Sequence, residues 1–189
     1  MEILVICTAN LCRSPMAAAL LRARLEHAGV EAIVRSAGVA AFDGLPPVRE
    51  AVRVMAEHGL DTSGHRSRSL ARSELETADL VLAMTRGHLR EAVLVEPTVW
   101  PRAFTLKELV RRAEREGPRA SREPFAAWLA RVHDGRQLSD LLGESDEDDV
   151  ADPIGLGLYH CRDTAADLTA LVDRLVLLAR LDATWVPLD

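Results

Sequence analysis

The chain has 189 residues, of which 48% are hydrophobic and 28% charged, with a formal net charge of −6. That size and balance describe a globular domain with room for a sizeable core. The acidic charge lacks the basic footprint of a nucleic-acid binder, and no uncharged run approaches membrane-spanning length, so neither nucleic acid nor membrane is expected as a partner.

The elements follow in chain order. "EILVIC" is a continuous apolar run, as expected of a strand covered on both faces. Ser14 and Pro15 read as the cap and first turn of a helix carrying Met16, Leu20, Leu21 and Leu25, with Gly29 as its stop. "EAIVRS" reads as a second strand, and "AGVAAFDGLPP" as a loop of turn formers. Val48, Val52 and Met55 mark a helix ending at Gly59. "ADLVLAM" is a third apolar strand, "HLREAV" a short helix, "RAFTL" a fourth strand and "KELVRRAERE" a helix with one polar side. The segment 111–149 reads as an insertion of one or two short helices and a solvated acidic loop at residues 144–149. Leu168, Leu171, Leu175 and Leu178 form the core stripe of a last helix.

Strands alternating with helices predict an α/β fold: a four-stranded parallel sheet with helices on both faces, in the flavodoxin-like order 2-1-3-4. Residues 1–189 are expected to form a single domain carrying the insertion. In such sheets the ligand lies beyond the carboxyl ends of the strands, and Cys7 lies at such an end.

The stretch "CTANLCRSP", residues 7–15, carries the chemistry. A loop between a strand and a helix N-terminus gathers unpaired backbone N–H groups, and with the helix dipole these bind an anion. The candidate cradle is Thr8, Ala9, Asn10, Leu11, Cys12, Arg13 and Ser14. The same field favours a thiolate at Cys7. The planar fork of Arg13, six residues on, can grip two oxygens of a phosphate. Nucleophile, cradle and clamp within seven residues point to attack of sulfur on a bound oxyanion such as a phosphate monoester.

This loop resembles that of the low-molecular-weight protein tyrosine phosphatases, which reads C-x-G-N-x-C-R-S-P. "SAG" at residues 36–38, "GLDTSGHRSRSL" at 59–70, "ADLVLAM" at 78–84 and Asp152–Pro153 follow in the family's order. The resemblance implies protein-tyrosine phosphatase activity through a cysteinyl-phosphate intermediate, with a phosphorylated protein or small aryl phosphate as substrate. Cys7 matches the nucleophile, Arg13 the phosphate clamp and Asp152 the general acid. Asn10, Ser14, Ser36 and His65 match the network that supports the loop. Cys12 matches a second cysteine that can form a protective disulfide with the nucleophile. Cys161 reads as structural. The resemblance implies no cofactor and no metal.

The match has gaps. Ala9 stands where the family has glycine, so its Cβ is expected to alter the loop. The aromatic walls that follow Asp-Pro in the family are replaced by "IGLG", leaving Phe42 and Ile154 as the candidate substrate walls. Phosphate-ester hydrolysis is therefore better supported than phosphotyrosine preference. A thiol-dependent arsenate reductase shares the fold and loop, although the middle of this chain lacks the downstream cysteines of the thioredoxin-coupled kind. A non-catalytic oxyanion-binding regulatory module is the third reading. Met-Glu ahead of a short apolar run is not a signal peptide, and three cysteines are an odd count for a secreted disulfide framework, so a cytoplasmic location is expected.

Overall fold

The computed structural model describes residues 1–180; residues 181–189, counted in the single domain expected from the sequence, lie outside the described residues. Its strands are β1 (Glu2–Cys7), β2 (Ile33–Gly38), β3 (Leu80–Ala83) and β4 (Ala103–Thr105). All neighbours pair in parallel, in the order β2-β1-β3-β4. The helices are α1 (Arg13–His27), α2 (Arg49–Glu57), α3 (Arg72–Thr77), α4 (Arg86–Val95), α5 (Leu106–Glu116), α6 (Phe125–His133) and α7 (Leu158–Leu178).

Alternation along each strand divides the core in two. Ile3, Val5, Leu80, Leu82 and Phe104 face one layer, formed with Met16, Leu20, Val54, Leu109, Leu168 and Val172. Leu4, Ile6, Val81, Ala83 and Ala103 face the other, with Leu75, Leu89 and Ala92. Every residue of β3 is buried. Burial of a Val or Leu side chain contributes about 1.5–3 kcal/mol, so even a four-residue strand is held firmly when covered on both sides. The register sets Cys7 beside Gly38 and Ile6 beside Ala83, which brings the carboxyl ends of three strands to one edge.

The structure departs from the sequence reading at several places. The second strand begins and ends two residues later than "EAIVRS", at Ile33–Gly38. Helix α3 and two 3₁₀ segments, Pro97–Arg102 and Leu138–Leu141, join the elements expected. Ser14 is not a helix cap: Cys12 holds that position, without a side-chain cap bond, and Ser14 lies buried inside the first turn.

The acidic run is not wholly solvated either. Asp148 is buried between Arg86 and Arg111, with nitrogen–oxygen distances of 2.6 and 2.7 Å. Asp149 accepts the Arg86 backbone N–H at 2.7 Å, so its carboxylate sits at the positive end of α4. Two arginines offset the cost of burying the Asp148 charge, which a lone carboxylate could not bear. The segment then continues into the site, where the Val150 N–H bonds the Met84 carbonyl at 2.7 Å just past β3.

Segment 111–149 also packs into the main body. Trp128, Leu129 and Val132 of α6 share a core layer with β1 and α1. Arg136, just beyond α6, makes a two-pronged bond to Glu108 of α5 at 2.7 and 3.0 Å. Its guanidinium also stacks on Trp100 and Phe104, 3.8 and 4.1 Å from their ring centres.

Candidate active site

The loop after β1 is gripped from outside by its carbonyls. Val39 and Ala40 N–H groups bond the carbonyls of Cys7 and Thr8 at 2.9 Å, and Val48 N–H bonds Leu11 at 3.0 Å. Met16 N–H takes the Cys12 carbonyl at 3.1 Å, as the first bond of α1. With these carbonyls committed to the surrounding protein, the backbone N–H groups of residues 9–12 take no acceptor among the described residues. Unpaired N–H groups at a helix start form a receptor for an anion.

Asn10 is the pivot of that turn. Its φ is +56°, in the left-handed region that asparagine tolerates better than most residues. It is fully buried, and its side chain donates to Ser14 Oγ and Ser36 Oγ, both at 2.9 Å. Its amide oxygen accepts the Arg68 N–H at 3.1 Å, and its carbonyl accepts a bond from His65 Nε2 at 2.8 Å. A carbonyl can only accept, so His65 carries its proton on Nε2. Burial, and the Arg22, Arg68 and Arg66 charges near it, hold His65 below the usual histidine range, against the pull of the Asn10 bond. The ring therefore braces the loop in its neutral form.

Ser14 Oγ accepts the Asn10 amide and lies 3.0 Å from Cys7 Sγ. Its own O–H is then free to donate to sulfur, which stabilises a thiolate. Gly38 backs the loop: a Cβ there would meet the Thr8 carbonyl oxygen at 2.5 Å and Ala41 Cβ at 2.7 Å. Ala9 is accommodated without strain, since Asn10 and Arg180 are the non-glycine residues with positive φ among those described.

Arg13 is 5% exposed and spans the site. It donates to the Val150 carbonyl at 3.2 Å and to Thr8 Oγ at 3.4 Å, and its Nη2 pairs with Asp152 Oδ2 at 2.6 Å. Asp152 is held to its own turn by the Ile154 N–H at 3.2 Å. Arg66 and Arg68 are committed elsewhere, Arg66 to the Ser63 and His65 carbonyls and Arg68 to Ser36 and Glu74.

One contributor escaped the sequence reading. His88 Nε2 lies 2.8 Å from Thr8 Oγ, and its Nδ1 lies 2.9 Å from Thr85 Oγ, the cap of α4. Thr85 Oγ accepts the His88 backbone N–H, and a neutral His88 ring donates from one nitrogen and accepts at the other, so it links Thr8 to Thr85 in either tautomer. Burial first, then the Arg13 charge, push His88 down to about 4, so it is neutral near pH 7. The cue was available in "MTRGH": a Thr at the end of a strand, three residues before a His, at the same sheet edge as Cys7.

The expected residues Cys7, Thr8, Asn10, Cys12, Arg13, Ser14, Ser36, His65 and Asp152 thus gather at one edge. The candidate walls stand apart from that cluster in character: Phe42 is 78% exposed and Ile154 46%. Cys12, buried, faces Cys161 of α7.

A cysteine sulfur in a strand–loop–helix turn with unpaired N–H groups, at the carboxyl edge of a four-stranded parallel sheet, is the arrangement of a cysteine-dependent phosphatase, and comparison with known proteins agrees with that class. A family model described as low molecular weight phosphotyrosine protein phosphatase matches residues 2–125, and the chain belongs to that family. A probable low molecular weight protein-tyrosine-phosphatase EpsP of Ralstonia solanacearum is 46% identical over 107 residues, covering 57% of this chain and 71% of the relative. A protein-arginine-phosphatase of Geobacillus stearothermophilus is 34% identical over 174 residues, covering 92% of this chain and 93% of its own. The crystal structure of a low molecular weight protein tyrosine phosphatase from T. tengcongensis matches with a TM-score of 0.72 at 35% identity, over 94% of this chain and 98% of that one. Among the described residues, no helix is long and apolar enough to cross a membrane.

Proposed function

We propose that this chain hydrolyses phosphotyrosine on proteins, with Cys7 as nucleophile, Arg13 as phosphate clamp and Asp152 as general acid. The observation that carries the reading is the 2.6 Å pair of Arg13 and Asp152 over the cradle. The carboxylate occupies a position on the Arg13 fork that a phosphate oxygen would take. An incoming phosphate displaces it, and the displaced carboxyl stays beside the bond that must break.

The steps then follow from the residues. The N–H groups of the loop and the Arg13 fork hold the three non-bridging oxygens as charge develops on them. Cys7 sulfur attacks phosphorus while protonated Asp152 gives its proton to the leaving oxygen. Asp152, now a carboxylate, takes a proton from water as that water attacks the cysteinyl phosphate. Ser14 O–H stabilises the Cys7 thiolate before attack and again as it leaves. Asn10, Ser36, His65 and His88 hold the loop in the shape these steps need.

Exposed apolar side chains beside Asp152 support an aryl leaving group: Ile154 and Leu156 are 46% and 59% exposed. A phosphoarginine reading has one observation behind it, the relative named as a protein-arginine-phosphatase that covers 92% of the chain. A guanidinium leaving group needs acceptors for its N–H donors, whereas these side chains offer mainly apolar surface. The test is kcat/KM on one peptide carrying either phosphotyrosine or phosphoarginine. A preference for phosphotyrosine supports the proposal, and a preference for phosphoarginine overturns it.

A further inference from the structure

Cys12 and Cys161 are 149 positions apart in sequence, yet α7 sets the two side by side against one small cavity. Both are buried and unoxidised, as is Cys7. Cys12 lies close enough to Cys7 to feel its charge. Cys12, at the start of α1, therefore has the nucleophile on one side in sequence and Cys161, in the first turn of α7, as its neighbour in space. Cys12 and Cys161 also share the wall of a cavity of about 40 Å³ with Pro153, Ile154, Gly155 and Gly157. That turn carries two glycines with positive φ, so the wall beside the two thiols is the loop next to Asp152.

We propose that Cys161 is a resolving thiol, which moves an oxidised disulfide off the nucleophile and onto the Cys12–Cys161 pair. The proposal rests on Cys7 as the catalytic nucleophile. The oxidant is a hydroperoxide. Its oxygen is transferred to the Cys7 thiolate, giving a sulfenic acid and releasing hydroxide or alkoxide. Cys12 sulfur attacks the Cys7 sulfur and passes its proton to the neighbouring Cys161 thiolate. The sulfenic oxygen leaves as hydroxide and takes that proton to become water, restoring the Cys161 thiolate. Cys161 then attacks the Cys12 sulfur, the Cys7–Cys12 bond breaks, and Cys7 departs as a thiolate ready for phosphate. The oxidation is held at Cys12–Cys161 until an external dithiol reduces it.

The electrostatics agree with this division of roles. The bond to Cys161, followed by burial, pushes the Cys12 thiol above the ordinary thiol range, and the same bond holds Cys161 below it. Cys161 is thus the more acidic of the pair, and the thiolate is the form that attacks a disulfide.

The experiment treats the reduced full-length chain with stoichiometric hydrogen peroxide, blocks free thiols by alkylation, and maps disulfides by mass spectrometry without reduction. Turnover of p-nitrophenyl phosphate is followed in parallel. The expected product is Cys12–Cys161 with Cys7 alkylated, and most of the activity retained. Cys161→Ala is expected to match the native chain before oxidation, then to lose nearly all activity as Cys7–Cys12 and regain it with dithiothreitol. A native chain that ends as Cys7–Cys12 or as Cys7 sulfinic acid overturns the relay, as do equal activity losses in the two proteins. If Cys161→Ala does not fold, the native disulfide map decides alone. A chain with no turnover before oxidation counts against the proposed function; an active chain with the wrong disulfide counts against the relay only.

Discussion

Arg13 and Asp152 hold each other at 2.6 Å across 139 positions of sequence, and with the Arg13 bond to the Val150 carbonyl this pair ties the loop after β1 to the segment that precedes α7. In the proposed mechanism the carboxylate is both catalyst and competitor, because it leaves Arg13 when phosphate binds. Asp152→Asn should therefore act in two directions. Turnover of phosphotyrosine, whose leaving oxygen needs a proton, should fall by about 10²-fold or more, and that of p-nitrophenyl phosphate by less. Inorganic phosphate should inhibit the variant at lower concentration than the native enzyme, since no anion contests the Arg13 fork. Equal losses on the two esters, with unchanged inhibition, would make Asp152 an ordinary turn residue.

Arg13→Lys should be nearly as damaging as Arg13→Ala. The native guanidinium serves Val150, Thr8 and Asp152 at once from a planar fork, and an ammonium cannot reproduce that spread. A near-native kcat/KM for the lysine variant on p-nitrophenyl phosphate would place the clamp on another residue.

Gly38→Ala tests the backing of the loop. The new Cβ would stand 2.5 Å from the Thr8 carbonyl oxygen, which is backbone and cannot rotate away. A shift of the order of 1 Å in a catalytic loop costs up to about 10²-fold in rate. Steady-state kinetics should show a loss of at least about tenfold in kcat, with stability lower by roughly 1–3 kcal/mol in urea unfolding.

His88 predicts a pH dependence. Its folded value of about 4 lies below the unfolded 6.5, so the unfolded chain binds the proton more readily between the two. The neutral ring's contribution is complete above pH 6.5 and is lost as pH falls toward 4, an effect of roughly 3 kcal/mol. His88→Gln should remove that part of the slope. Urea unfolding of both proteins at pH 7 and pH 4.5 measures it, and parallel stability curves would contradict the assignment.

Arg136→Ala should destabilise the fold by roughly 3–5 kcal/mol, because it leaves the Glu108 carboxylate buried without its partner. The pair lies on α5 and the segment after α6, outside the phosphate loop. kcat of the folded variant should stay close to native, so a thermal melt read beside kinetics separates the two effects.

Short-range chemistry was legible in the sequence. Strand runs such as "ILVI" and the turn-to-helix step at residues 7–15 are written in neighbouring side chains, and local conformation follows neighbours. The sheet order followed from the alternation of strands and helices. Long-range pairings were not legible, because each depends on where packing delivers two distant segments. Ser14 looked like a cap by its position before Pro15, but burial under Asn10 and Cys7 gives its hydroxyl another use. The acidic run looked solvated by composition, yet Arg86 and Arg111 draw Asp148 inward and so steer Val150 and Asp152 to Arg13. Cys161 reads as structural in the sequence, and only α7, packing along α1, sets it against Cys12. Residue type decided what each group could do; only the tertiary packing decided which groups meet.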